Sequence, residues 1–410
     1  MPEAARNRID WIDEFKGLVL LLVCIYHIEQ SFANINIGME NLSDFRMSAF
    51  FFISGVLFST RRFPKFKDYC AHKTRVLFFP YVALSLLFLL LDPVVWNFDL
   101  VSRAPRMTIL SYHPVIHSLK DYIGWNFAKI FIVGKSSIGS GPIWFVFTLY
   151  SISLIFYLIQ KATRSNKFAI AVIACACIAI GWNLSRNHIR LPLGIERDLT
   201  TLFFFAGGYL SKNFIQKLSQ FVSGERAQSK PSSRGTQKMQ AVKSTAAMRA
   251  IKRKKRKGRF LRIAIVTLMT IGSFVLYALI EIPDPNYSVM NNELGKSFWR
   301  FIGSFFFGVW GLIGAFQVLS QLPSLRIIGA IKGILRNISR NALIVLSVHW
   351  WILLVLRIVF KRELDRPGIV YSVFAIVALG TIAAIPLFRC KLYKLIGKEK
   401  ISVRESLSIK

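Results

Sequence analysis

Residues 15–32 read FKGLVLLLVCIYHIEQSF, an apolar run interrupted by His27 and Glu29. No other stretch constrains the fold as tightly. Either the run stays out of the bilayer, or an imidazole sits at a depth where ionisable side chains are costly and face a bundle interior or a wet cavity. The rest of the chain decides between the two. Of 410 residues 53% are hydrophobic and 14% aromatic, and the mean hydropathy is +0.45, well above an ordinary globular domain. Ten stretches read as membrane spans: 17–36, 47–60, 76–96, 142–160, 167–182, 199–214, 260–280, 298–320, 341–360 and 367–388. The second and fifth are short against the roughly 20 residues a crossing needs.

Lys and Arg number 54 against 21 Asp and Glu, a formal charge of +33. A nucleic-acid binder would gather such charge on one folded face. Here the basic residues fall between the apolar runs, which excludes nucleic acid and fits loops lying against anionic lipid. With the N-terminus inside, the inner segments hold 39 of them and the outer segments 13, the bias that orients membrane proteins. The sequence therefore predicts an all-α integral membrane protein, a bundle of about ten transmembrane helices with both termini cytoplasmic. Residues 18–28 have the length of a signal-peptide core, but Asp10, Asp13 and Glu14 stand where a basic leader belongs.

The chain reads as a single membrane domain over 1–410, with no soluble domain after the last span. Residues 217–259 form a basic, partly disordered cytoplasmic linker ending in IKRKKRKGR, whose place beside a span points to anionic headgroups. Residues 93–141 form a long extracytoplasmic loop, of a length that usually serves as a lid or binding surface.

Five cysteines (Cys24, Cys70, Cys175, Cys177 and Cys390) make no C-x-x-C pair, so neither a disulfide framework nor a thiolate metal site is expected. His113 and His117, four apart in the outer loop, are too little to assign a metal. No H-E-x-x-H, Walker or G-x-S-x-G motif occurs, and GSGP at 139–142 reads as a turn.

His27 follows Lys16 by 11 residues, which places it about 16 Å into a core about 30 Å thick. A neutral imidazole bonded to a neighbouring helix and a functional one are both open on this ground. His349, in LIVLSVHWW, is a second imidazole about eight residues into a span from the cytoplasmic face. Arg75 opens the third span beside Arg61, Arg62, Lys65, Lys67 and Lys73, either as interfacial anchoring or as a guanidinium fork for phosphate.

Ordered blocks along the chain resemble the acyltransferase 3 family, polytopic membrane acyltransferases of bacterial surface glycans. RIDWIDEFKGLVLLLVCIYH is similar to its opening block through Asp13, Lys16, Gly17 and His27. FRMSAFFFISGVLF is similar to its second-span motif, with Ser54 and Gly55 in place. RVLFFPY, GPIWFVFTLY with Trp144 and Phe145, FFFAGGYL, and NALIVLSVHWW with His349 follow in order. Three departures stand out. His72 with Lys73 replaces the first of two arginines usually found three apart, Arg46 and Ser48 replace His and Pro, and Glu29 has no counterpart.

The resemblance implies an O-acetyltransferase of the bacterial inner membrane, with no bound cofactor. Acetyl-CoA is then the cytoplasmic acyl donor, and the acceptor is a hydroxyl of a cell-surface polysaccharide or its lipid-linked precursor. It implies Arg75 and Lys73 as donor-binding groups, and His27 as general base or transient acyl carrier. His349 orients His27 or the donor, and Asp13, Lys16, Ser54 and Trp144 support the site. A transporter or flippase of lipid-linked sugars is the rival, but the matching halves that such proteins tend to show are not evident here.

Overall fold

Among the described residues each of the ten stretches read as spans is mostly helical, and three further helices lie between them. The computed structural model describes residues 9–32, 35–100, 106–108, 111–113, 116–135, 137–224, 245–281, 287–322, 326–360 and 367–400. In chain order the helices are α1 (Asp10–Ser31), α2 (Ser43–Val56), α3 (Phe66–Lys73), α4 (Phe79–Asn97), α5 (Leu119–Ile132), α6 (Trp144–Ala162), α7 (Lys167–Arg186), α8 (Ile195–Ser223), α9 (Thr245–Glu281), α10 (Phe298–Leu319), α11 (Arg326–Arg340), α12 (Ala342–Phe360) and α13 (Pro367–Cys390). A π turn over Thr74–Phe78 joins α3 to α4. Two three-residue strands, β1 (Arg106–Thr108) and β2 (Ser111–His113), pair antiparallel with Arg106 opposite His113.

Among the described residues, seven helices are long and apolar enough to cross a membrane: Phe66–Asn97, Gly141–Ala162, Lys167–Arg186, Gly258–Glu281, Phe298–Leu319, Ala342–Phe360 and Gly368–Cys390. The ten expected spans exceed this by α1, α2 and α8, and each has a reason. α2 has only 14 residues, α1 opens with Asp10, Asp13, Glu14 and Lys16, and α8 opens with Glu196, Arg197 and Asp198. These three belong to the interior. Ala49, Phe51 and Ile53 of α2 are fully buried, whereas only 11% of the most apolar part of α9 and 22% of that of α13 is buried. In a lipid solvent the purely apolar helices belong at the periphery, and polar ones need protein around them.

The central pair packs backbone to backbone. A side chain added at Gly55 would collide with the Phe205 carbonyl, and one at Gly208 with the Phe52 carbonyl, so the two glycines let α2 and α8 approach closely. Segments assigned by sequence to one side of the membrane also touch one another. Lys212 donates to the Phe58 carbonyl at 3.3 Å, Arg259 to that of Gln321 at 3.0 Å, and Lys398 to that of Arg340. On the other side Tyr277 donates to the Asn41 carbonyl at 2.6 Å and Arg197 to that of Val133 at 3.5 Å.

Of the basic segment 217–259, residues 217–223 continue α8 and 245–259 are the opening turns of α9; 225–244 lie outside the described residues. The outer loop 93–141 contains the end of α4, the β-hairpin and α5. Its residues 101–105, 109–110, 114–115 and 136 lie outside the described residues. α5 starts with a reciprocal capping pair, Ser118 and Asp121, which satisfies two orphan N–H groups. The Ser118 hydroxyl holds the Asp121 carboxyl below its ordinary range. All five cysteines are free thiols.

Candidate active site

α1 runs beside α12 and brings two imidazoles together: His27 Nδ1 lies 2.9 Å from His349 Nε2, with ring planes 2° from parallel. His349 Nδ1 lies 2.7 Å from the Val345 carbonyl, one turn back on α12. This contact orders the protons. A carbonyl only accepts, so Nδ1 of His349 carries a hydrogen and, in the neutral ring, its Nε2 is an acceptor. The proton between the rings then belongs to His27 Nδ1, and the free lone pair of the pair sits on His27 Nε2. His349 is buried at 1% exposure while His27 is only half-buried. A fixed inner ring therefore orients a more accessible outer one.

A tight loop covers the pair. The Trp350 ring meets His27 edge-on at 5.1 Å, and its indole N–H donates to the Ile138 carbonyl at 2.7 Å. A side chain at Gly141 would strike the Trp350 ring, and one at Gly139 would strike Asp92 and Trp351. The glycines of the GSGP turn are thus needed for close approach to α12. Asp92, fully buried on α4, accepts from the Tyr122 hydroxyl of α5 at 3.1 Å. Trp144 is buried beside this loop's exit, with the Arg197 guanidinium 5.2 Å from its ring.

Glu29 has a different task from His27. Its carboxylate accepts from the backbone N–H groups of Ile37, Gly38 and Met39 at 2.8, 2.9 and 2.9 Å. Arg46 donates to the Met39 carbonyl at 2.6 Å and lies 3.8 Å over the Tyr26 ring, with Glu29 and Glu281 in its electrostatic neighbourhood. The loop after α1 is therefore fastened by two buried charges, and the residue standing where the family has His is one of them. Sequence reasoning missed Arg46 and Trp350 as neighbours of His27; the HWW triplet was the available signal for the second.

Towards the N-terminal end of α1, the site residues divide. Lys16 and Lys73 lie close enough for their charges to interact, with Lys16 Nζ 5.6 Å from the Phe50 ring and Lys73 Nζ 5.4 Å from the Tyr69 ring. Arg75 is exposed and lines an open groove with Phe66, Lys67 and Cys70. Lys73 thus joins Lys16, and Arg75 does not join Lys73. Ser54 donates to the Phe50 carbonyl of its own helix at 2.8 Å. Asp13 meets the Ser339 hydroxyl of α11 at 3.5 Å. α11 itself lies in a stretch read only as a loop.

One comparison with known proteins bears on the chain as a whole. The acyltransferase family described as an acyltransferase domain matches residues 9–388. The chain belongs to the acyltransferase 3 family. It is a multi-pass membrane acyltransferase on that ground, and every site residue named above falls inside the matched span. Comparison with curated proteins and with solved structures returns no match.

Proposed function

We propose that the protein moves an acyl group, most simply acetyl, from cytoplasmic acyl-CoA to a hydroxyl of a cell-surface polysaccharide or its lipid-linked precursor. The reading includes ten spans with both termini in the cytoplasm of a bacterial inner membrane. The single observation that carries the chemistry is the His27–His349–Val345 hydrogen-bond chain, which leaves a lone pair on His27 Nε2. The donor's phosphates sit at Lys16 and Lys73, where an anion relieves the repulsion of two like charges, and Arg75 is a further cation at the same membrane face. His27 lies about 16 Å further along α1, about the reach of an extended pantetheine arm, so the thioester arrives at the imidazole.

His27 Nε2 takes the proton of the acceptor hydroxyl as its oxygen attacks the thioester carbonyl. The C–S bond breaks as the tetrahedral intermediate collapses, and the departing thiolate receives the proton from His27. As His27 becomes cationic, its Nδ1–H bond to His349 strengthens, because charged donors make stronger hydrogen bonds. The fixed tautomer of His349 is what keeps the basic nitrogen turned to substrate.

Membranes carrying the wild type, His27→Ala or His349→Ala, supplied with radiolabelled acetyl-CoA and the host's surface glycan, test this. His27→Ala should lose label by about 10²–10⁴-fold, the span of general base catalysis. His349→Ala should lower kcat by about tenfold, one hydrogen bond's worth. Equal labelling by wild type and His27→Ala would remove the catalytic assignment, and no labelling by the wild type would favour a transporter.

A further inference from the structure

α11 is built inside out for a helix in water. Its sequence, RIIGAIKGILRNISR, contains four cations and no acidic residue. The polar side turns inward. Lys332 donates to the Leu319 carbonyl at the end of α10 at 2.8 Å, Arg336 pairs with Asp10 at 3.1 Å, and Ser339 meets Asp13. The apolar side turns outward: Ile327, Ile331 and Ile334 are 74%, 51% and 50% exposed. At 100° per residue these three fall within an arc of about 60°, one continuous stripe. A stripe of this kind on a soluble surface would be a liability.

The position of α11 says what covers the stripe. α10 ends at Leu319 and α12 begins at Ala342, each a membrane-crossing helix, so α11 is tethered at both ends to the edge of the bilayer. A cationic helix with an apolar stripe held at that depth has the chemistry of an in-plane interfacial helix, with its isoleucines among acyl chains and Arg326, exposed at its start, among anionic headgroups. We infer that α11 lies flat in the leaflet on the Lys16 side and supports α1 from the lipid. Only the naming of that leaflet as cytoplasmic rests on the proposed function. The support is direct. Leu335 backbone lies so close to Gly17 that a side chain at Gly17 would collide with its carbonyl, and Gly17 adjoins Lys16. The depth of α11 in lipid therefore sets the height of Lys16.

The test reads depth without substrate, so its failure is separate from failure of the acyl-transfer reading. The full chain, with its native cysteines changed to serine, is labelled with a nitroxide at Ile331→Cys or, as a water-exposed control on α8, Lys217→Cys, and placed in phosphatidylglycerol-containing nanodiscs. At Ile331→Cys, collision with oxygen should exceed collision with a water-soluble nickel chelate several-fold, and at Lys217→Cys the order should reverse. Equal behaviour at both sites, or protection from both agents at Ile331→Cys as a covering protein would give, overturns the inference. The unaltered protein supplies a second measurement. Lipids carrying a photoreactive acyl chain should form adducts at Ile327, Ile331 and Ile334; adducts confined to the spanning helices would overturn it as well.

Discussion

At its N-terminal end α1 is held to α11 by an ion pair that water reaches, Arg336 to Asp10 at 3.1 Å with the Asp10 side chain 62% exposed. At its far end the buried carboxylate of Glu29 gathers three backbone N–H groups. The two fastenings differ in what happens when they are cut. Exposed pairs are exchanged for water at little cost, whereas a carboxylate removed from a buried nest leaves donors that water cannot fully satisfy. The helix that carries His27 is thus anchored firmly near that histidine and adjustably near Lys16, where a glycine contact with α11 sets its position.

That contrast can be broken at three points. Glu29→Ala should cost about 1–3 kcal/mol for each donor left unsatisfied. Thermal unfolding of the purified protein should show a clearly lowered midpoint, and an unchanged midpoint would mean that the loop finds other partners. Gly17→Ala forces α1 away from α11 and should cost about 1–3 kcal/mol as overpacking does. Its kinetic mark should be a raised KM for acyl-CoA with kcat nearly kept; a fall in kcat alone would place the contact's influence at His27 instead. Asp10→Ala, which cuts the exposed pair and leaves Arg336 beside the buried Glu14, should cost at most about 1 kcal/mol. The difference from wild type in chemical denaturation should shrink further as salt is added, and a loss as large as that of Glu29→Ala would erase the distinction between the two ends.

The seven helices long enough to cross were legible because a bilayer demands long apolar runs, and α2, too short to count among them, still stood out as a helix by its phenylalanines. α11 was not legible as an element, since its isoleucine stripe is narrow and diluted by glycine and cations. The two site histidines were both visible, but 322 residues separate them in the chain, and no local pattern announces a contact that tertiary packing makes. Glu29 resisted reading for a related reason: its partners are backbone N–H groups of the following loop, which every residue but proline possesses. Ser54 and Gly55 were visible as a motif, and the structure gives their local roles as a hydroxyl returned to its own helix and a bare surface for α8.

The π turn at Thr74–Phe78, where the Phe79 N–H reaches back five residues to the Thr74 carbonyl, makes the 32-residue rod Phe66–Asn97 two helices on one axis with shifted phase. One residue inserted in the turn rotates everything beyond it by about 100°. Below the shift, Lys73 is aimed at Lys16. Above it, Tyr81 donates to the Ile130 carbonyl at 2.9 Å and Asp92 holds Tyr122. A uniform helix would have to surrender one of these two directions, so the shift lets the rod's lower half stay beside Lys16 while its upper half keeps its bonds to α5.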